Sequence, residues 1–348
     1  MPNHSIVVLL NNYSYFQRDK ITGPKSLIRL LTLLSEANFK IILMFNSRSQ
    51  DNVPDSSEFP FKCEIVSNDL YLKIKLISRC KLIISDRTNI FKGILLSILF
   101  NKKHIVRLLG TARRLKSKSL LSYRNLLLVL TNVKPLDLLI STNDGSSYGQ
   151  YSYLKSKKSL FRINGIEDIK YYIRDNSLNF QNFIFLGRGD DEKGLEDAIK
   201  FFSSLNEKAP STHLTIIGAD HKNVEGICKR LKLEGIEKNI DSRGFIYDES
   251  KYAFISKSRW MISGNKLGCL GNSEIECLSL GLKIIYLYDK HIKYLPENLN
   301  QYYVSKNSFF NRLNNFLRPE KDLKAPSFQN FDEVHQKDIN EIISLIEI

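Results

Sequence analysis

No apolar run in the chain is long enough to cross a bilayer. The longest, Ile94-Leu95-Leu96-Ser97-Ile98-Leu99-Phe100, falls far short of the roughly 20 residues a membrane-spanning helix needs. No signal-peptide pattern opens the chain either, because the stretch Ser5 to Leu10 is short and Asn11-Asn12 ends it. Cysteine is scarce: Cys63, Cys80, Cys228, Cys269 and Cys277 form no C-x-x-C pair and have no histidine at ligand spacing. That argues against a disulfide scaffold or zinc site and for reduced thiols, so the expected location is cytoplasmic.

Acidic residues are also few, 37 Asp and Glu against 51 Lys and Arg, for a formal charge of +14. Such an excess implies attraction to something anionic. It is concentrated in Lys102, Lys103, His104, Arg107, Arg113, Arg114, Lys116, Lys118 and Arg124, with Leu108, Leu109, Leu120 and Leu121 interleaved. The stretch Lys102–Arg124 suits an anionic membrane surface or nucleic-acid phosphates; a solvated basic face is the bland alternative. Without a zinc-finger or RNP-like pattern, nucleic acid is not expected.

With 348 residues, 43% of them apolar, the chain is expected to fold as two ordinary domains. Ile6–Leu10 reads as a strand apolar on both faces, followed by Gly23-Pro24, a leucine-spaced helix over Ser26–Leu34 and a strand over Phe39–Phe45. Strands at Leu82–Ser85, His104–Leu108 and Leu138–Ser141, with a helix over Ile90–Leu99, continue the alternation. After a polar stretch at Arg174–Ser177 the pattern restarts with strands at Phe183–Leu186, His213–Gly218, Ile240–Phe245, Trp260–Ser263 and Lys283–Leu287. Helices over Gly194–Leu205, Val224–Leu233, Tyr247–Ser256 and Glu274–Leu280 fall between them. This is the alternation of doubly wound parallel sheets. Domains are expected over 1–170 and 178–330. Phe309–Leu317 reads as helical, and 331–348 is a closing helical segment whose apolar stripe, Ile339, Ile342, Ile343, Leu345 and Ile346, should dock on a partner not readable from sequence.

Two motifs carry the chemistry. In Phe185-Leu186-Gly187-Arg188-Gly189-Asp190-Asp191-Glu192-Lys193-Gly194 a strand ends, a turn carries two cations, and a helix follows. At the C-terminal edge of a parallel sheet, Arg188 and Lys193 can neutralise a diphosphate, the first as a fork and the second as a point charge. A solvated Gly-Arg turn is the alternative. In Cys269-Leu270-Gly271-Asn272-Ser273-Glu274-Ile275-Glu276, Ser273 and Glu276 have capping-box spacing, which predicts a helix start there. Gly271 permits close backbone approach by a ligand, and the opening N–H groups favour phosphate oxygens. Glu276 is then a cap or a hydroxyl acceptor.

These residues resemble the large retaining glycosyltransferase family 4, whose second domain carries Gly-Arg, four residues, Lys-Gly, as Gly187-Arg188 through Lys193-Gly194 do here. The resemblance implies a GT-B fold, two Rossmann-like doubly wound parallel-sheet domains facing across a cleft, with the acceptor on the first and the nucleotide-sugar on the second. It gives Arg188 and Lys193 the donor diphosphate and Glu276 the nucleotide ribose. Backbone at Leu270, Gly271 and Asn272, beside Ser273, would meet phosphates and sugar. Ile216-Ile217-Gly218 resembles the strand before the nucleotide pocket, Arg243-Gly244-Phe245 the segment lining the base, and Asn164-Gly165-Ile166 the turn before the linker; Gly23-Pro24 resembles the first domain's glycine loop. The implied activity is transfer of a sugar from a UDP- or GDP-sugar, base undetermined, to a hydroxyl of a glycan, lipid-linked or protein acceptor; the basic stretch Lys102–Arg124 in the first domain adds an expected location that is cytoplasmic and peripheral at the inner membrane face. Cell-surface or lipid-linked glycan synthesis would be its setting.

Arg188, Lys193 and Glu276 are thus the candidate catalytic residues, the first two stabilising charge on the leaving diphosphate. No cofactor is required by this chemistry. No metal is expected either: there is no Asp-x-Asp pair, and Gly189-Asp190-Asp191-Glu192 reads as a helix-start or solvated acidic turn. Two positions depart from the family. Gly268 stands where it has the glutamate that contacts the donor sugar, with Cys269-Leu270 following, and Leu109-Gly110 stands where many members have a histidine. Asn265 or Lys266 could substitute at the first. His104 lies too early in its strand to serve at the second and is expected on the surface. The departures keep a binding protein without turnover in view, and a nucleotide-sugar epimerase of the same fold is the other alternative. Oligomeric state is not readable.

Overall fold

The computed structural model describes residues 4–10, 25–45, 56–66, 69–86, 89–108, 120–142, 153–162, 181–191, 193–233, 235–246, 249–266, 270–288, 295–317, 325–328 and 331–347. The chain divides into two units, one formed by 1–165 with 329–348 and the other by 166–328.

The first unit is built on seven parallel strands, β1 (Ser5–Leu10), β2 (Lys40–Phe45), β3 (Cys63–Val66), β4 (Leu82–Asp86), β5 (Lys103–Leu108), β6 (Leu138–Thr142) and β7 (Ser159–Arg162), in the order β3-β2-β1-β4-β5-β6-β7. Its helices are α1 (Lys25–Glu36), α2 (Leu70–Arg79), α3 (Ile90–Leu99) and α4 (Leu120–Val133). Alternate residues of β1 face opposite cores. Ile6, Val8 and Leu10 pack with Leu27, Leu30 and Leu31 of α1, whereas Val7 and Leu9 pack with Ile77 of α2 and Leu96 of α3. Ile90 and Ile94 of α3 join Leu127 of α4 over Val106 and Leu108 of β5. Helices α2, α3 and α4 therefore form one layer, and α1 lies in the other.

The second unit repeats the plan with β8 (Asn182–Leu186), α5 (Leu195–Lys208), β9 (His213–Ile217), α6 (His221–Leu231), β10 (Ile240–Ser242), α7 (Ser250–Ile255), β11 (Trp260–Ser263), α8 (Asn272–Ser279), β12 (Lys283–Tyr286) and β13 (Tyr303–Ser305). All pairings are parallel, in the order β10-β9-β8-β11-β12-β13. Two short helices, α9 (Lys306–Asn311) and α10 (Leu313–Phe316), close its core by stacking Phe309 and Phe316, 5.4 Å apart, against the edge of Trp260.

The chain ends in α11 (Phe331–Glu347), which packs on α1 and sends Ile339, Ile342 and Ile346 into the first unit's core. Asp338 of α11 is fully buried and takes Nε of Arg162 at 3.0 Å; Lys158 pairs with Glu341, and Lys103 donates to the Leu345 carbonyl.

Two expectations fail here. His104 is not a surface histidine: it is 1% exposed, its Nε2 bonded to Ser85 at 2.8 Å, and burial drives its imidazole down to about 3. Nor is Lys102–Arg124 one basic face. Arg107 is buried beside His335 and Asp338 on the α1–α11 side, because residues of a strand alternate between faces, while Arg124 lies exposed in the opposite layer. Arg113, Arg114, Lys116, Lys118, Leu109 and Gly110 lie outside the described residues, as do Gly23-Pro24 and Asn164-Gly165-Ile166.

Candidate functional site

The strand order of the second unit reverses between β8 and β11, and ligands of open α/β sheets bind beyond the strand ends at such a point. Glycine makes the loops there close enough to form a site. Gly187 donates its N–H to the Ile217 carbonyl at 2.9 Å and Gly218 donates to Gly244 at 2.7 Å. Gly218 sits at φ +101°, and a Cβ on it would fall 2.4 Å from the Gly187 carbonyl oxygen. Gly194, which caps α5 at φ +67°, touches Gly264 after β11: a Cβ there would lie 2.1 Å from the Gly264 oxygen. The β8–α5 turn and the β11–α8 loop are thus pressed backbone to backbone.

In the β8–α5 turn the Asp190 carboxylate accepts the Lys193 N–H at 3.0 Å and pairs with the Arg188 guanidinium at 3.0 Å. Asp190 thereby organises the turn rather than lying solvated in it. Arg188 is exposed, whereas Lys193 is half-buried and aims across to the start of α8, its Nζ 3.9 Å from where a Cβ on Gly271 would be. Phe185, Leu186, Lys193, Ser263, Gly271 and Glu274 are among the residues that line one shallow recess. Glu192 is outside the described residues.

The start of α8 differs from the capping-box expectation. Its N-cap is Gly271, without a side-chain cap, so Ser273 is already inside the first turn and cannot pair reciprocally with Glu276. Glu274 performs the reach-back instead. Its carboxylate, buried in the fold, accepts from the Leu270 N–H, from the Ser263 hydroxyl and, at 3.2 Å, from the Tyr303 hydroxyl. Three strand ends or loops meet on one side chain, and Leu270 is held at φ +64°, the left-handed region uncommon for a side-chain-bearing residue. Burial raises the Glu274 carboxyl above its ordinary range, opposed by the hydrogen bonds from Ser263 and Leu270 and by the Lys193 charge.

Glu276 faces α7, where the nearly buried Lys251 meets it at 2.7 Å. Phe245, 53% exposed, follows Gly244 at φ +64°, and Arg243 pairs with Asp241 and lies over the Phe254 ring. Lys266 is bound by Asp191 at 2.7 Å and Asp197 at 3.0 Å, which raise its pKa and tie the two pressed loops together from outside. Asn265 lines the recess. Gly268 and Cys269 lie outside the described residues. Among the described residues no three His, Cys, Asp or Glu side chains cluster as metal ligands.

Lys193, Gly271 and Ser273 therefore line one recess, with Leu270 and Asn272 flanking Gly271 in the chain, while Arg188 lies on the exposed side of its own turn, paired with Asp190; Gly187, Gly218, Gly244 and Phe245 continue the edge along β9 and β10; Glu276 lies one helical turn deeper, on Lys251. Glu274, Lys251 and Gly264 were missed in sequence. The signal for Glu274 was Gly271 three residues before it, a glycine N-cap that makes Glu274 the reach-back position.

Residues 174–300, most of the second unit, match the family described as Glycosyl transferases group 1. No curated protein sequence matches the chain. Among solved structures, HepE of Anabaena, in complex with UDP and glucose, is 12% identical and superposes with a TM-score of 0.69, covering 98% of this chain and 100% of that one. The sucrose-phosphate synthase of Thermosynechococcus elongatus is 12% identical with a TM-score of 0.66 over 99% of each chain. The lipopolysaccharide outer core galactosyltransferase WaaB, in its apo form, is 13% identical with a TM-score of 0.63, covering 98% and 99%. The fold is that of GT-B proteins, two Rossmann-like parallel-sheet units, and the glycosyltransferase family model matches the second unit over most of its length.

Proposed function

We propose that the chain is a retaining transferase that moves a sugar from a nucleoside diphosphate-sugar to an acceptor hydroxyl, on a glycan, a lipid-linked glycan or a protein. The observation that carries this reading is the convergence of Lys193 with the start of α8 on one recess at the sheet's reversal point. A lysine ammonium and helix-start N–H groups suit the two phosphates of a leaving nucleoside diphosphate. Arg188 on the exposed rim adds a fork once it exchanges Asp190 for phosphate oxygens. Phe245 offers an exposed ring beside Gly244 for the base, and Glu276 accepts from the ribose hydroxyls while Lys251 fixes its rotamer.

The acceptor oxygen bonds to the anomeric carbon as the bond from that carbon to the diphosphate oxygen breaks, and the acceptor's proton leaves on the diphosphate. Charge grows on the diphosphate in that step, so Arg188, Lys193 and the start of α8 stabilise the transition state more than the ground state. The HepE complex contains UDP, which makes UDP-sugars the first donors to try. Incubation of UDP-glucose with a panel of acceptors, followed by product analysis, tests the reading. A new glycoside with released UDP supports it. A 2-epimer formed without any acceptor would establish the epimerase alternative, and neither product despite donor binding would establish a protein that binds without turnover.

A further inference from the structure

Of the large apolar side chains left exposed among the described residues, all but Phe245 belong to the α2–α3–α4 layer of the first unit. On α2 they are Leu70, Tyr71 and Ile74, with Leu70 70% exposed. On α3, Leu95 and Leu99 stand one turn apart, and on α4, Leu126, Val129 and Val133 follow at helical spacing. The α3 and α4 ends are joined, because Lys134 donates to the Ser97 and Lys102 carbonyls, and Lys102 in turn donates to Ser78 at the end of α2. Apolar side chains spread over several neighbouring helices mark an interaction surface, unlike scattered single ones.

Charge on the layer has one sign. No acidic residue occurs within α2, α3 or α4, which carry Lys73, Lys75, Arg79, Lys92 and Arg124. From Arg87 to Pro135 the sequence contains no Asp or Glu at all. Asp69, the N-cap of α2, is engaged by the Leu72 N–H. The other layer is richer in acid: α11 carries Asp332, Glu333, Asp338, Glu341 and Glu347 against the single Lys337, beside Lys25, Arg29 and Glu36 of α1. The overall charge is therefore polarised across the first unit, with the basic side also the apolar side.

We propose that the α2–α3–α4 layer seats the protein on an anionic lipid bilayer, its leucines and valines entering the headgroup boundary while Lys75, Arg79 and Arg124 meet lipid phosphates. A bilayer fits better than an acidic protein because the apolar side chains, all aliphatic but Tyr71, spread over three helices, and because basic and apolar groups are mixed on them. That is the composition of surfaces that lie in the membrane interface. Lys102–Arg124 contributes only in part, since Arg107 is buried on the far side of the sheet.

The test is co-sedimentation of the full chain with vesicles of phosphatidylcholine alone and with about 30% phosphatidylglycerol, a content that gives a negative surface potential. Binding is expected to the anionic vesicles and to weaken with salt. L99S/V133S should lower the partition coefficient at least about tenfold through lost apolar insertion, and Lys75→Glu at least about fivefold through lost surface attraction. Lys337→Glu, exposed on the acidic layer and equal in charge change, should bind as the parent does. Circular dichroism and nucleotide binding should be unchanged in all three. Absence of binding to anionic vesicles would overturn the proposal. So would equal loss in Lys75→Glu and Lys337→Glu, which would leave net charge as the cause, or a dimer in solution that L99S/V133S dissolves, which would give the layer to a second copy.

Discussion

Glu274 is the side chain on which the candidate site turns, because its carboxylate holds the Leu270 N–H, Ser263 and Tyr303 at once. Glu274→Leu leaves the buried Leu270 N–H without its acceptor, and such a group costs about 1–3 kcal/mol; urea denaturation should show a loss of that size, with weaker donor binding because the loop before α8 loses its anchor. The pH dependence follows from burial, which raises the Glu274 carboxyl above its ordinary 4.5. A group raised in the folded state favours folding most when it is protonated, so its contribution is present at low pH and is lost as pH rises through the folded pKa. Glu274→Gln, which keeps an acceptor oxygen, should flatten that dependence above pH 4.5 in denaturation curves of the second unit. The glycines grade similarly. Gly194→Ala meets the Gly264 carbonyl at 2.1 Å and should destabilise by about 2 kcal/mol or more, combining overpacking and left-handed strain. Gly226→Ala, in α6 with open space around it, should stabilise by about 0.5–1 kcal/mol. Thermal melts of both variants check the order. The Gly-Arg…Lys-Gly pattern was legible because glycine and paired cations are visible in composition. Glu274 was not, because Ser273 and Glu276 fit a capping pattern that only the glycine N-cap at 271 displaces.

Among elements, α11 is fastened by charge as well as by its apolar stripe. Burial alone would raise the Asp338 carboxyl, but the His335 ring 3.7 Å away and the Arg107 and Arg162 charges outweigh it and hold Asp338 below 3.8. A depressed carboxyl contributes stability above its unfolded pKa and loses it as pH falls through the folded value. The first unit should therefore weaken below about pH 4, and Asp338→Ala, which removes the buried carboxylate that pairs with Arg162, should cost about 3 kcal/mol at neutral pH; acid titration followed by circular dichroism reads both. The strands of both sheets were largely legible because a parallel strand covered on both faces is a short apolar run, as in Ile6–Leu10 and Phe183–Leu186. Five elements were not, among them β3 and β7, which are only four residues each. In α2, Lys73 and Lys75 alternate with Leu72, Ile74 and Leu76, which blurs the helical period; in α4 the attention-drawing feature is upstream charge; and β13 is only three residues long. The partner of α11 was unreadable for a plainer reason: an apolar stripe shows that a helix docks, and long-range packing decides where.

At the scale of the whole molecule, two units of like topology divide the labour. The first keeps a basic, apolar layer on one side of its sheet and an acidic helix on the other. The second brings a lysine, a helix start and an exposed aromatic ring to the ends of its strands. Arg188→Ala, Lys193→Ala and Glu276→Ala should each reduce donor use, about tenfold or more where a charged hydrogen bond is lost, while Glu192→Ala should leave it near the parent level; initial rates of UDP release compare them. The most direct measurement is calorimetric titration of UDP, GDP and their sugars into the folded protein and its Lys193→Ala variant, with and without divalent metal. The site described here predicts that one nucleotide binds and that the variant binds it at least about tenfold more weakly. Equal binding by the variant, or no binding of any nucleotide to either protein, would contradict it.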